Sequence, residues 1–168
     1  MKSKQIKIEI ERQPIDWLIE IIGWIGIVFL IFIPAYYYHL LPDIIPSHYD
    51  LNGIVNGTSN KSIIWVLPLI GLSTYIGLFI LNRYPEIFNY PKEITEENAE
   101  QQYRLATRLI RVTNSVIIAL FAYLTFSVIH RALGNQDGLV NYFVIAIISI
   151  IFSSIGTYMY FSMRKNKP

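Results

Sequence analysis

Four long apolar blocks, separated by short polar stretches, dominate the pattern of this 168-residue chain. They cover residues 21–41, 63–81, 112–129 and 139–163, and none contains Lys, Arg, Asp or Glu. A bilayer core is about 30 Å thick and takes about 20 helical residues to cross. Backbone in hydrocarbon must pair its own N–H and C=O groups, so uninterrupted blocks of this length predict helices. Barrel strands would be shorter and would alternate in polarity. With flanking residues included, the expected spans are 18–41, 62–82, 109–131 and 139–163. The first block is too long for the apolar part of a signal peptide. Tyr36, Tyr37 and Tyr38 suit a membrane–water interface, where a cleavage site would otherwise follow.

The polar stretches add three elements. Between the second and third blocks, Asn89-Tyr90-Pro91 reads as a turn and Thr95-Glu96-Glu97 as a helix start. Ala99, Tyr103, Ala106 and Ile110 then line one helical face, and Glu100 and Arg104 stand four apart as an ion pair. The third helix is therefore expected to begin about four turns before its span. Residues 7–11 alternate like a strand with no evident partner. Between the first and second blocks, Asn52-Gly53 and Asn56-Gly57 predict tight turns in a compact loop. The expected fold is all-α: one integral membrane domain over residues 1–168, a bundle of four transmembrane helices with a short turned outer loop.

Composition and charge give this picture a direction. The chain is 53% hydrophobic and 15% charged, with mean hydropathy +0.39, where a soluble domain carries about 25% charged residues. Twelve of the 14 Lys and Arg residues fall in the N-terminal segment, the second loop and the C-terminal tail. Lys61 and Arg131 are the two others. The positive-inside rule then places both termini in the cytoplasm of a multi-pass protein of the cell membrane, with the first and third loops extracellular. Topology accounts for the net charge of +2, so the expected partner is the lipid bilayer and not nucleic acid. The absence of cysteine excludes disulfides, thiolate metal sites and cysteine nucleophiles. Arg104, Arg108 and Arg111 lie where the third helix enters the membrane. They read first as anchors to anionic lipid, and alternatively as partners of Asp16 and Glu20.

Candidate chemistry concentrates in the first loop. Pro42, Asp43, Pro46, His48, Asp50, Asn52 and Gly53 are the candidate binding residues. His39 and His130 fall on the same side, so all three histidines are expected outside. One His with two carboxylates could ligate a divalent metal or titrate near neutral pH. The competing reading is structural, with Asp43 capping a turn and His48 bonded to a carbonyl. No spacing matches a metal signature, so the metal is left unassigned and no cofactor is expected. Within the spans, Glu20, Thr113, Asn114 and Ser115 are polar near the inner side. No ionisable residue falls at the bilayer centre, which argues against an ion-coupled pump. Ser73, Gly77, Ser153, Ser154 and Gly156 are the expected sites of close helix approach.

Leu41-Pro42-Asp43-x-Ile45-Pro46-x-His48, followed by Gly53 and Gly57, resembles the hallmark of the bacterial membrane domain family DUF1648. The likeness runs on through Lys61, the Pro68 region, Asn89-Tyr90-Pro91 and Ile94–Ala99 to Tyr103-Arg104, over roughly residues 15–130. The resemblance implies that Pro42, Asp43, Pro46, His48 and Gly53 are motif positions. The domain also begins the SdpI-type immunity proteins, which protect cells from the SdpC killing peptide, although those proteins have further spans.

Three functions are then weighed. The first is a non-enzymatic binding or immunity-like protein that engages a peptide or membrane partner at its extracellular face. The second is a sensor or regulatory subunit that signals to a cytoplasmic regulator. The third, ranked last, is a metal-dependent enzyme at the outer face. A transporter with four spans would have to form a homo-oligomer, and nothing in the sequence specifies how.

Overall fold

The computed structural model of the chain describes residues 6–50, 55–135 and 140–164. Helix α1 covers Pro14–Tyr37. A hairpin follows, with strand β1 over Ile44–Tyr49 and strand β2 over Val55–Asn60. A 3-10 turn over Lys61–Trp65 leads into α2, Val66–Leu81. Helix α3 covers Ala99–Ala132 and α4 covers Val140–Met163. Among the described residues, four helical stretches are long and apolar enough to cross a membrane: Pro14–Tyr37, Lys61–Leu81, Ala99–Ala132 and Tyr142–Met163.

Several boundaries differ from expectation, each for a local reason. Helix α1 begins earlier because Pro14 occupies its first position, where no N–H is required. The Asp16 carboxylate accepts the Gln13 N–H at 2.9 Å. The helix ends at Tyr37, short of Leu41, where Leu40 N–H turns back to the Tyr37 carbonyl. Helix α3 starts at Ala99, not at Thr95. Asn98 holds the preceding turn, accepting from Thr95 N–H and donating to the Glu93 carbonyl. Residues 7–11 form no strand. Their segment is tied down where Tyr103 Oη donates to the Ile6 carbonyl at 2.9 Å.

Helix α3 is the axis of the bundle and packs against α1, α2 and α4. Leu30, Tyr75, Ile118 and Ala122 form a core at mid-bundle. Leu41, Ile45, Ile64 and Ile129 form a second core under the hairpin. The close approaches fall at Gly23, Gly26 and Gly71. A Cβ at Gly26 would lie 2.6 Å from Ile118 Cγ2, and one at Gly71 would lie 3.0 Å from Leu30 Cδ2. Gly77 and Gly156, expected at such contacts, have nothing within 4 Å of an added Cβ. Ser73 and Ser154 bond carbonyls within their own helices. Helix α4 is mostly peripheral, with few fully buried residues among those described. Gln102 fixes its far end, donating to the Ser162 carbonyl and accepting from Ser162 Oγ.

Candidate functional site

The sequence places its candidate residues at one end of this bundle, and the hairpin there is built from its root outward. Ile45 is fully buried on Leu41, Ile64 and Ile129. Since strand neighbours face opposite ways, burying Ile45 turns Ile44 outward, where it is 59% exposed. Lys61 closes the base. Its N–H donates to the Asp43 carbonyl at 2.9 Å, and its Nζ lies 3.1 Å from Asp43 Oδ1. The same ammonium reaches the Leu41 carbonyl at 3.4 Å and lies 5.4 Å from the centre of the Tyr38 ring. The Asp43 carboxylate is largely exposed, so the ion pair alone contributes at most about 1 kcal/mol.

Above the base, β1 and β2 pair antiparallel with Ile44 opposite Asn60 and Pro46 opposite Thr58. The register shifts between Pro46 and His48, leaving Ser47 as an extra residue. Pro46, which lacks an N–H, is tolerated because each strand of a two-stranded sheet is an edge. His48 is exposed and stands opposite Gly57. A Cβ at Gly57 would lie 3.1 Å from His48 Cβ, so the glycine makes room for the imidazole. Ser59 Oγ donates to Ser47 Oγ at 2.9 Å, and His48 Nδ1 lies 3.2 Å from Ser47 Oγ.

Residues 25–72 match the family model described as domain of unknown function DUF1648. No curated protein and no solved structure matches the chain. The DUF1648 segment is narrower than residues 15–130; it takes in most of α1, the whole hairpin and the first part of α2. It therefore holds every candidate residue of the first loop.

The structure separates those residues by role. Asp43 serves the base with Lys61, and His48 belongs to the serine pair higher up. Pro42 is exposed in the link between α1 and β1. Asp50 ends the described part of β1's arm, and Asn52 and Gly53 lie outside the described residues. Asn56-Gly57, expected as a tight turn, is inside β2, where pairing with β1 holds it extended. His39 and His130 share this end of the bundle but contact different rings, His39 edge-on to Tyr36 and His130 stacked on Phe126. Among the described residues, no group of three or more His, Asp or Glu could hold a metal ion.

The opposite end carries an ionic lattice outside the DUF1648 segment. Arg108 Nε donates to Asp16 Oδ1 at 2.8 Å, and Arg111 Nε donates to Glu20 Oε1 at 2.9 Å. Arg12 donates to the other oxygen of Glu20 at 2.9 Å. Arg108 also reaches Gln13 Oε1. Asp16 is 1% exposed and Glu20 is 7% exposed, so the lattice is a true helix–helix contact. Of the two readings of the arginines, Arg108 and Arg111 follow the second, while Arg104 pairs with Glu100. Their spacing with Asp16 and Glu20 was the available signal: two acids four apart on α1 meet two arginines three apart on α3. Nearby, Tyr90 is half-buried against Phe88 and Tyr103 and donates to the Pro85 carbonyl. Burial, then neighbouring Tyr103, Tyr158 and Glu86, push its hydroxyl pKa well above the ordinary tyrosine value.

Proposed function

We propose that this multi-pass membrane protein is a non-enzymatic binding protein whose hairpin faces outside and engages an extended peptide or a partner's extracellular segment. The observation that carries the reading is the hairpin itself. It is rooted in the core by Ile45 and braced by Asp43–Lys61, yet it presents Ser47, His48 and two strand edges outward. A rigid base with an open edge suits addition of a partner strand through backbone hydrogen bonds. The immunity-like form of this reading takes a secreted killing peptide as the ligand. Its test is expression in a cell membrane exposed to the SdpC peptide, wild type beside His48→Ala and Lys61→Ala. The expected result is survival and membrane retention of the peptide with wild type, and loss of both in the variants at equal protein level. Absence of protection and retention with wild type sinks the reading.

A second reading is favoured by one feature, the unbroken α3. Its Ile129 touches the hairpin root and its Arg108 and Arg111 grip α1 at the other end. One rigid element thus links the hairpin to the lattice, as a sensor that passes a state to a cytoplasmic regulator requires. Co-purification of a soluble partner that depends on residues 99–107 would favour this reading; purification without any partner in mild detergent would count against it.

A further inference from the structure

The lattice borders a small polar void between α1, α2 and α3, independent of the hairpin and its reading. Asn114 and Asn82 line it together with Tyr75, Glu20, Arg111 and Ser115. Asn114 is 5% exposed, and its Nδ2 donates to the Tyr75 carbonyl at 3.1 Å. That bond fixes the amide, because a flip would set one carbonyl oxygen against another. Asn114 Oδ1 therefore faces away from α2's backbone, and it is buried without a donor from the protein. Asn82 Oδ1 is buried in the same condition. A buried acceptor left unpaired is costly, so both oxygens call for a donor.

We infer that these two oxygens share one ordered water, which ties the end of α2 to α3 within the membrane. The void has room of about 10 Å³, the size of a single water. Charge selects a neutral donor. Three arginines face two carboxylates across the lattice, so a cation meets net repulsion, and the two acceptor oxygens repel an anion. A water gives one hydrogen to each amide oxygen, and the Tyr75 hydroxyl is available to donate to it. Three partners are the usual number for a buried water. The entry path is an open cleft of about 320 Å³ at the lattice end, which shares Glu20, Asn82 and Arg111 with the void.

The experiment is a high-resolution structure of the full chain in lipid, determined once in sodium chloride and once in choline chloride. One solvent peak is expected within hydrogen-bond distance of both amide oxygens, unchanged between the two salts. A peak present only with sodium overturns the inference in favour of a cation. A direct Asn82–Asn114 bond, or an empty void, overturns it as well. Thermal unfolding of Asn82→Leu, Asn114→Leu and the double variant gives a second reading. A shared water makes the double shift in Tm smaller than the sum of the single shifts. Strict additivity contradicts a shared water.

Discussion

At the scale of residues, the contacts that matter most are those made by charged groups removed from water. Asp16 and Glu20 stand four apart on α1 and accept from Arg108 and Arg111 of α3. An arginine fork matches a carboxylate in geometry, which a lysine would not. Asp16→Ala leaves Arg108 without its carboxylate and is expected to cost about 1.5–3 kcal/mol, the value of a charged hydrogen bond. The cost stays below the about 3–5 kcal/mol of a fully buried pair, because the Arg108 side chain keeps 29% of its surface. Arg108→Ala should then cost less in the Asp16→Ala background than in wild type. Unfolding of the four proteins in detergent measures this coupling; equal costs in both backgrounds would contradict the pairing.

At the scale of elements, α1 and α3 approach closely because glycine gives up its side chain where the partner is bulky. Ile118 is fully buried and β-branched, so it cannot yield to a Cβ at Gly26 placed 2.6 Å from its methyl. Gly26→Ala is expected to destabilise by about 1–3 kcal/mol through overpacking. Gly77→Ala meets no atom within 4 Å and should be neutral, or stabilise by up to about 1 kcal/mol through helix propensity. The same unfolding assay separates them, and an equal effect of the two substitutions would refute the packing argument. A glycine in a span is thus visible in sequence, but its neighbour is not. Gly77 and Gly156 looked like contact positions by composition, whereas Gly23, Gly26 and Gly71 hold that role by geometry. The hairpin shows the same limit. Asn56-Gly57 has turn chemistry, yet the pairing of Gly57 with His48 and of Val55 with Tyr49 draws it into a strand.

At the scale of the whole molecule, the hairpin and the ionic lattice lie at opposite ends of one bundle, joined by α3. The charge bias predicts that reporters fused at the N-terminus, in the second loop and at the C-terminus will all report the cytoplasmic side. A reporter in the hairpin should report the opposite side. Reporter fusions measure this directly, and a hairpin reporter active in the cytoplasm would invert the topology. Such an inversion would also remove the proposed contact with a secreted peptide, because the hairpin would no longer meet it.

The sequence by itself determined the four helices, since hydropathy blocks and backbone hydrogen bonding leave a membrane segment no other form. It also determined where the candidate chemistry lies along the chain, through the Asp43–His48 motif and the Lys and Arg bias. Tertiary structure alone decided which of those residues meet. It assigned Asp43 to Lys61 and His48 to Ser47, and it kept His39 and His130 on separate rings. It chose between the two readings of Arg108 and Arg111 by pairing them with the buried Asp16 and Glu20. The reason is physical: hydropathy is a property of single residues summed along the chain, whereas an ion pair or a close approach depends on the rotation and register of two helices.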